Sequence, residues 1–536
     1  MANILKPPCD EGVIAAKPAS HGVSSGFWVL AATILGSSMA FIDGTVVNVA
    51  LPVLQKDLGA TVGDAQWVME AYSLFLAALI LVGGSMGDHF GRRRVFGIGV
   101  VVFSLSSIIC GLAPTVLVLI LTRAVQGIGS ALLVPGSLAI ISASFGPEQR
   151  GRAIGTWSGA TSITSALGPV LGGWLVQNAS WRWVFFINVP LAVAVLIILF
   201  LRVSESHDES AARGLDWWGA LLATVGLGGI VYGLIEAENL GLGSPLVLGS
   251  LVIGIVAFLA FLYLEVHVPD PMLSLTLFRS RTFTGANLLT LFLYAALGGA
   301  LFFVPFDLIQ VQGYSPTAAG AALLPMILIL FFLSRWSGRL VDHYGAKLPL
   351  IIGPVIAAAG FALFAVPGIG GSYWITFFPA AVVLGLGMAI SVAPLTTAVM
   401  GAVESRHAGE ASGINNAVSR TAGLLAVAVF GIFAIVIFSS DLASRLSALN
   451  LSPSIQQAIN NQSSKLVSIQ LPSSLTGTTH LLIQQAIDMS FVSGFRLVML
   501  ISAGLALVSA LSAAILIEGK KVSTQQIESP VTSSTA

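Results

Sequence analysis

Charge and cysteine are both scarce in this sequence of 536 residues. Only 9% of the residues are charged, and the 24 basic side chains are balanced by 24 acidic ones. A net charge of zero indicates no nucleic-acid partner. Hydrophobic residues make up 56% of the chain and alternate with short charged islands. The composition therefore excludes a series of soluble domains and predicts a multi-pass helical membrane protein.

The residues that metal sites and most enzymes need are also missing. Cys9 and Cys110 have neither the spacing of a metal site nor an obvious disulfide partner, so we interpret both as structural or incidental. No histidine falls within a predicted span, and no G-x-x-x-x-G-K-[ST] loop is present to hold a nucleotide. The sequence therefore predicts neither an enzyme nor a nucleotide-driven pump, and no metal or cofactor is expected.

The first 26 residues are polar and contain Lys6 and Lys17. They lack the short apolar core that precedes the cleavage site of a signal peptide. We therefore expect a cytoplasmic tail at 1–26 and a first spanning helix that is its own insertion signal.

Fourteen apolar runs are long enough to cross roughly 30 Å at about 1.5 Å per residue. The sequence thus predicts an all-α, polytopic integral membrane protein with 14 transmembrane helices. The predicted spans are 27–50, 66–86, 95–113, 116–141, 153–176, 183–201, 215–235, 246–264, 283–311, 316–336, 347–366, 373–399, 413–438 and 493–517.

The basic residues predict the orientation of these spans. If the N-terminus lies inside, seventeen of them fall in cytoplasmic segments and five fall outside, while Arg123 and Arg420 lie within spans. Because loops rich in lysine and arginine stay in the cytoplasm, both termini are predicted to be cytoplasmic.

One loop occurs twice, as GSMGDHFGRRR at 84–94 and as GRLVDHYGAK at 338–347. Two equivalent loops eight spans apart predict two homologous halves of six spans, with spans seven and eight between them. Repeated halves are common in secondary transporters, whose substrate route lies between the halves near mid-membrane. The predicted parts are a tail at 1–26, a half at 27–202, interposed helices at 203–265, a half at 266–518 with an outer loop at 439–491, and a tail at 519–536.

The repeated loop has the chemistry of a conformational latch. Its glycines permit tight turns and close helix approach, and Asp88 can pair with an arginine or with the positive end of a helix. An alternative is that the arginines only anchor the cytoplasmic face. The candidate residues of this switch are Gly84, Asp88, Gly91, Arg92, Arg93, Asp342 and Gly345.

These patterns resemble a known family. The repeated loop resembles the signature of the major facilitator superfamily, and four further stretches resemble its fourteen-span drug:proton antiporter family. They are IDGTVVNVALP at 42–52, LILTRAVQGIGSA at 119–131, ALGPVLGG at 166–173 and WRWVFFINVP at 181–190. The resemblance implies a major facilitator fold and multidrug efflux across the bacterial plasma (inner) membrane in exchange for protons.

The fifth span carries a stripe of small residues. Gly168, Pro169, Gly172 and Gly173 remove side-chain bulk and weaken the helical ladder at one point, which permits close packing and a bend. The resemblance implies that this stripe seals the two sides of the membrane against leak. The alternative is ordinary packing of small residues.

Asp43 and Arg123 are charges within apolar runs, where a charge is costly unless it has a partner, water or a function. Asp43 lies about 9 to 13 Å inside the outer end of span one, and Arg123 about 12 to 15 Å inside that of span four. An arginine at this level would favour the ionised acid. Uptake of an outside proton by Asp43 and its release inside would couple proton entry to substrate exit. The alternatives are an Asp43 that is hydrogen-bonded to Thr45 or Asn48, and an Arg123 that only holds helix ends or carbonyls.

Three other charged residues lie near or within spans. Asp307 is a candidate second titrating or cation-recognising site, or an acid in a wet outer vestibule. Glu70 is interpreted as interfacial, and Arg420 as snorkelling to the cytoplasmic face, with a place in the inner cavity as the alternative. The candidate residues of a substrate pocket are Phe41, Glu70, Gln126 and Trp157.

We therefore predict a proton-coupled secondary transporter that exports small apolar or cationic compounds by alternating access. An alternative is a proton symporter or facilitator for a metabolite, which would need a hydrogen-bonding pocket rather than one membrane carboxylate. The expected partners are the small-molecule substrate, protons and membrane lipid. The polar segment at 439–491 is expected to be a partly helical solvated loop or a contact for a periplasmic adaptor.

Overall fold

The computed structural model describes residues 23–206, 216–268, 273–403, 408–449, 451–471 and 477–519. These residues form helices and connecting turns and contain no strand, so the all-α prediction is confirmed. The N-terminal group of helices consists of α1 (Val23–Leu58), α2 (Val62–Phe90), α3 (Arg92–Leu112), α4 (Val116–Ser144), α5 (Pro147–Asn178), α6 (Trp183–Phe186) and α7 (Asn188–Arg202).

An interposed pair follows, made of α8 (Trp217–Leu240) and α9 (Pro245–His267). The C-terminal group consists of α10 (Arg281–Phe306), α11 (Pro316–Ala322), α12 (Leu324–Tyr344), α13 (Lys347–Phe364), α14 (Phe377–Gly401), α15 (Ala408–Ala448), α16 (Pro453–Asn460) and α17 (Thr478–Leu516). The predicted domain boundaries at 202/203 and 265/266 stay a prediction.

The number of spans is twelve or thirteen within the described ranges. Twelve helices are long and apolar enough to cross a membrane, and α2 adds one more if its two arms, which meet at 52°, count as a single span. The fifth predicted span corresponds to α5, which is rich in glycine, serine and threonine and is not among these helices. The protein is thus a multi-pass membrane protein, and exactly fourteen spans is not confirmed.

Several predicted spans differ from the helices in length or continuity. The ninth ends in a π-helical turn, Asp307–Val311, and the tenth is broken into α11 and α12. Helices α15 and α17 continue well into the predicted outer loop, where α16 and a 3-10 turn at Ser463–Ser468 also lie. That loop is therefore partly helical.

Small residues allow the helices to approach closely. In the interposed pair, a Cβ built on Gly229 of α8 would lie 2.8 Å from the Cα of Gly254 on α9. Helices in lipid associate by such close packing because no hydrophobic force drives them together there. The interposed pair contacts both groups, since Leu227 of α8 packs with Leu74 of α2 and Leu424 of α15 in one buried cluster.

The two groups of helices meet at the end of the bundle where α1 ends and α2 begins, which we call the Leu58 end. Helix α5 lies directly against α11 there, because a Cβ on Gly173 would collide with the carbonyl of Pro316. Four hydrogen bonds between described residues of the groups lie at the same end. They join Gln66 Nε2 to Val427 O (3.0 Å), Gln55 Nε2 to Lys465 O (3.2 Å), and Gln310 Nε2 to Pro52 O (3.2 Å) and Gln55 Oε1 (3.4 Å).

Candidate functional site

A salt bridge joins Asp43 of α1 to Arg123 of α4, and both side chains are completely buried. The bond runs from Arg123 Nη1 to Asp43 Oδ2. Arg123 is held from other sides as well: its Nε donates to Val68 O at 2.9 Å, and its guanidinium lies 4.3 Å from the centroid of the Tyr72 ring. A buried ion pair is tolerated when further hydrogen bonds satisfy its partners. Here hydrogen bonds satisfy Arg123 Nε and Nη1, whereas Nη2 is buried without a partner among the described residues.

The second carboxylate oxygen of Asp43 receives two side-chain donors. Gln126 Nε2 donates to Asp43 Oδ1 at 2.9 Å, and Asn188 Nδ2 donates to the same oxygen at 3.4 Å. Gln126 Oε1 in turn accepts from Arg123 Nη1 at 2.8 Å. Both amide side chains also donate to Ser107 Oγ, at 3.3 Å from Gln126 and 3.0 Å from Asn188. We call these five residues the Asp43 network.

Thr45 and Asn48, which we considered as alternative hydrogen-bond partners of Asp43, are directed at backbone carbonyls. Thr45 Oγ1 donates instead to the carbonyls of Phe41 (3.1 Å) and Ile42 (3.0 Å), and Asn48 Nδ2 lies 3.5 Å from Gly44 O. Asn188 was missed by sequence reasoning. The available signal was a polar residue in the apolar run FFINVP, at the point where α6 ends and α7 begins.

Close approach of three helices brings the network together. A Cβ on Gly127 of α4 would collide with the carbonyl of Tyr72 on α2, and one on Gly129 would lie 2.6 Å from the backbone nitrogen of Phe103 on α3. Glycine at these two positions lets α4 lie against its neighbours. The side chain of Arg123 can therefore reach a backbone carbonyl on α2.

The predicted pocket residues divide into two places. Phe41 and Trp157 are partly exposed neighbours, with ring centroids 6.4 Å apart, and Trp157 Nε1 donates to Ser37 Oγ at 3.1 Å. Gln126 is fully buried and bonded within the Asp43 network, so it does not line a pocket in this structure.

Glu70 is not at a water interface, in contrast to our interpretation. It is 3% exposed and lies one turn before Leu74, which packs between α8 and α15. Its Oε2 is buried without a hydrogen-bond partner among the described residues. From the sequence we placed Glu70 near the surface because it lies only about one turn from the start of the second predicted span. In the structure, the interposed pair and α15 cover this part of α2.

Asp307 is also buried, at 2% exposure, rather than standing in a wet vestibule. It begins the π-helical turn, and its Oδ2 accepts from Gln312 Nε2 at 3.3 Å. Gln312 Nε2 also donates to Gly368 O at 2.9 Å, which ties this turn to the segment before α14. No hydrogen bond or ion pair between described residues joins Asp307 to the Asp43 network.

The repeated loop between α2 and α3 is held by charges. Arg92 Nε donates to Asp88 Oδ1 at 2.8 Å, as its Nη2 does at 2.7 Å. The backbone nitrogens of Arg93 and Arg94 donate to Glu205 at 2.9 Å and 3.2 Å, so a distant carboxylate caps the first turn of α3. Sequence reasoning missed Glu205.

Glycines at equivalent positions end α2 and α12. Gly91 has φ 103° and Gly345 has φ 73°, a region that side chains disfavour. A Cβ on Gly84 would lie 3.6 Å from Pro135 Cβ, an ordinary contact. The side chain of Asp342 lies outside the described part of the chain.

The fifth-helix stripe packs on two sides. A Cβ on Gly168 would collide with Thr45 Oγ1, and one on Gly172 would lie 2.5 Å from a Val46 methyl, so both positions bring α5 onto α1. Gly173 faces α11, and the carbonyl of Pro169 lies where a Cβ on Gly320 of α11 would be. The stripe therefore packs α5 against both groups of helices.

Of the cavities that lie outside the Asp43 network, two differ in the polarity of their lining residues. One of ≈ 550 Å³ at the Leu58 end is lined by polar residues that include Gln55, Lys56 and Lys465. The other, of ≈ 480 Å³, is apolar and lies where α2, the interposed pair, α10 and α15 meet, against Ala77 and Phe258. Within the described ranges, no group of three or more His, Cys, Asp or Glu side chains could hold a metal ion.

The chain belongs to the Major Facilitator Superfamily, whose family pattern matches residues 33–427. It is a membrane transporter and not an enzyme. It is 31% identical over 532 residues to the "Tetracenomycin C resistance and export protein" of Streptomyces glaucescens, covering 98% of this chain and 97% of that one. It is 36% identical over 437 residues to the "Multidrug resistance protein Stp" of Mycobacterium tuberculosis, covering 80% and 78%.

Another relative is the "Puromycin resistance protein pur8" of Streptomyces alboniger, 35% identical over 426 residues, with 78% and 84% covered. Among solved structures, a bacterial homolog of the human lysosomal transporter Spinster, in an inward-facing and unoccupied conformation, superposes with a TM-score of 0.64. At 17% identity, with 94% of this chain and 100% of that chain covered, this likeness shows the fold. Together the relatives support efflux of small molecules as the kind of transport.

Proposed function

We propose that this protein exports small apolar or cationic compounds across the bacterial plasma membrane in exchange for protons, with both termini in the cytoplasm. The observation that carries the proposal is the completely buried salt bridge between Asp43 and Arg123. Protonation of Asp43 removes the charge that holds Arg123, so one proton changes the interactions that join α1 to α4. Each proton that crosses 100 mV supplies about 2.3 kcal/mol for the cycle.

The two groups of helices provide alternating access. In this structure they meet at the Leu58 end, the predicted outer side, through the hydrogen bond from Gln66 to Val427 and the contact of α5 with α11. Release of substrate to the outside requires these contacts to separate. The tight fit of Gly173 against Pro316 supports a role for the fifth-helix stripe, which includes Gly168, Pro169 and Gly172, as the seal against leak.

The remaining candidate residues take roles around this cycle. The repeated loop, with Gly84, Asp88, Gly91, Arg92 and Arg93, and its counterpart with Asp342 and Gly345, act as latches on the cytoplasmic side. Phe41 and Trp157 contribute aromatic contacts to the substrate. Asp307 is a second titrating or cation-recognising site on the outer side, and the partly helical outer segment is the contact for a periplasmic adaptor where one is used.

Reconstitution into lipid vesicles tests the proposed function. Ethidium movement is followed under an imposed pH gradient and without one, for the wild type and for Asp43→Asn. Asp441→Asn is the matched control, because Asp441 is a partly exposed acid that is paired with Arg445 at 2.9 Å in α15. We expect the pH gradient to accelerate ethidium movement against the proton flow in the wild type and in the control only. Movement with the proton flow would favour the symporter, and an unaltered Asp43→Asn would contradict the proposal.

A further inference from the structure

Arg420 of α15 lies where the two groups of helices face each other, a region that we call the gap. It lies seven residues before Val427, whose carbonyl accepts the hydrogen bond from Gln66 of α2. Seven residues are about two helical turns, so both residues lie on the same face of α15. Arg420 is therefore directed toward the N-terminal group, nearer the middle of the bundle than the closed Leu58 end.

From the sequence we interpreted Arg420 as snorkelling to the cytoplasmic face, with a place in the inner cavity as the alternative. Its guanidinium lies within electrostatic range of the phenol of Tyr72, the residue that stacks against Arg123 in the Asp43 network. Asn416, one turn earlier on the same face, is exposed, whereas Arg420 is only partly exposed. The cation is thus held at the depth of the Asp43 network.

Arg420 has no counter-ion. No hydrogen bond or ion pair links it to any other residue of the described chain, and its Nε is buried without a partner. The nearest network acid, Asp43, is already neutralised by Arg123. Among the described residues, Arg420 is therefore a cation in the gap without an ion-pair partner.

A partly buried guanidinium without a counter-ion loses hydration and gains nothing in return. A planar anion such as a carboxylate restores both the charge balance and paired hydrogen bonds, for which the guanidinium geometry is suited. Because the gap is closed at the Leu58 end, such an anion has to enter from the opposite, cytoplasmic side.

We infer that Arg420 binds the acidic group, a carboxylate or a phenolate, of compounds that this protein exports. The inference rests on the proposed export function and extends its substrates from apolar and cationic compounds to organic acids with an apolar body. Tyr72, whose hydroxyl is hydrogen-bonded to Ser130 Oγ at 2.8 Å, is a fixed group within electrostatic range of the guanidinium.

The test measures equilibrium binding to the purified protein in neutral detergent, by fluorescence anisotropy of three probes. Pyrenebutyrate, pyrenebutanol and pyrenebutyl-trimethylammonium share one aromatic body and differ in charge. The variants are Arg420→Gln and Arg420→Lys, with Arg202→Gln as the control, since Arg202 is an exposed arginine at the end of α7. Glu70→Gln is included because Glu70 of α2 is a buried acid whose Oε2 has no hydrogen-bond partner among the described residues.

We expect the wild type to bind pyrenebutyrate about tenfold more tightly than pyrenebutanol, because the carboxylate forms one charge-assisted hydrogen bond that the alcohol cannot form. Arg420→Gln removes this difference and leaves pyrenebutanol binding unchanged, which also shows that the variant is folded. Arg420→Lys keeps part of the preference, and Arg202→Gln keeps all of it.

Three results would overturn the inference. The first is equal affinity of the wild type for pyrenebutyrate and pyrenebutanol, and the second is an equal loss of affinity for all three probes in Arg420→Gln. The third is the same loss of pyrenebutyrate affinity in Glu70→Gln, which would make Arg420 the partner of Glu70 in another conformation. Binding needs no pH gradient. A failure of proton coupling would therefore leave this result intact, and a failure here would leave the coupling test intact.

Discussion

Asp43 and Arg123 are eighty residues apart in the chain and form a salt bridge in which neither side chain has any solvent exposure. Removing one partner of such a pair leaves an uncompensated charge and costs about 3 to 5 kcal/mol. The pair is therefore stable while both charges are present, and protonation of Asp43 weakens it because Arg123 keeps its charge. This property suits a residue that gains and loses one proton in each transport cycle.

Gln126 supports the pair from both sides, and its loss should impair transport. Gln126→Ala leaves Asp43 Oδ1 without its 2.9 Å donor and Arg123 Nη1 without its 2.8 Å acceptor. Hydrogen bonds to charged groups contribute about 1.5 to 3 kcal/mol, so we expect initial efflux rates to fall by about tenfold. The control Gln457→Ala changes an exposed glutamine of α16 and should transport normally. Normal efflux by Gln126→Ala would show that the amide only fills space.

Gly173 permits the contact that closes the Leu58 end. In Gly173→Ala the added methyl collides with the carbonyl of Pro316, and such overpacking costs about 1 to 3 kcal/mol. We expect the closed arrangement to lose population. Labelling of Gln55→Cys by a membrane-impermeant maleimide should accelerate, because Gln55 is 1% exposed when this end is closed.

The matched control for this experiment lies in the same helix. A Cβ on Gly155 of α5 has no heavy atom within 4 Å, so Gly155→Ala should leave the labelling rate of Gln55→Cys unchanged. Equal acceleration in both variants would attribute the effect to helix propensity rather than to the contact with α11.

Glu205 caps the first turn of α3 and should stabilise the protein. Glu205→Ala removes the acceptor for the backbone nitrogens of Arg93 and Arg94, and loss of a helix cap costs about 0.5 to 2 kcal/mol. Thermal unfolding in detergent should shift to lower temperature. Glu518→Ala, which changes an exposed acid after α17, should unfold as the wild type does. An unchanged unfolding temperature for Glu205→Ala would mean that the repeated loop between α2 and α3 is stable without this carboxylate.

The sequence was sufficient for the fold class and for the common level of the two central charges, because both follow from the length of apolar runs and the rise per residue. Asp43 and Arg123 could be placed at one level in this way. Their contact could not, since it depends on how closely α4 approaches α2 and α3, which Gly127 and Gly129 allow only in three dimensions.

Burial by distant elements was the main limit of sequence reasoning. Glu70 was placed near water, as was Asp307 in one of its two alternatives, because each lies near the end of its own span. Both are buried in the structure. Asn188 and Glu205 gave little signal for the same reason. Each acts on a residue more than one hundred positions away, and no local pattern marks such a pairing.

The most direct test of the central claim measures protons rather than substrate. Vesicles that contain the protein and a pH-sensitive dye are given an ethidium gradient and no pH gradient. If Asp43 couples the two fluxes, ethidium flow in one direction drives protons in the other for the wild type and for Asp441→Asn, and Asp43→Asn moves no protons. Proton movement by Asp43→Asn at the wild-type rate, or none by the wild type during ethidium flow, would contradict the account.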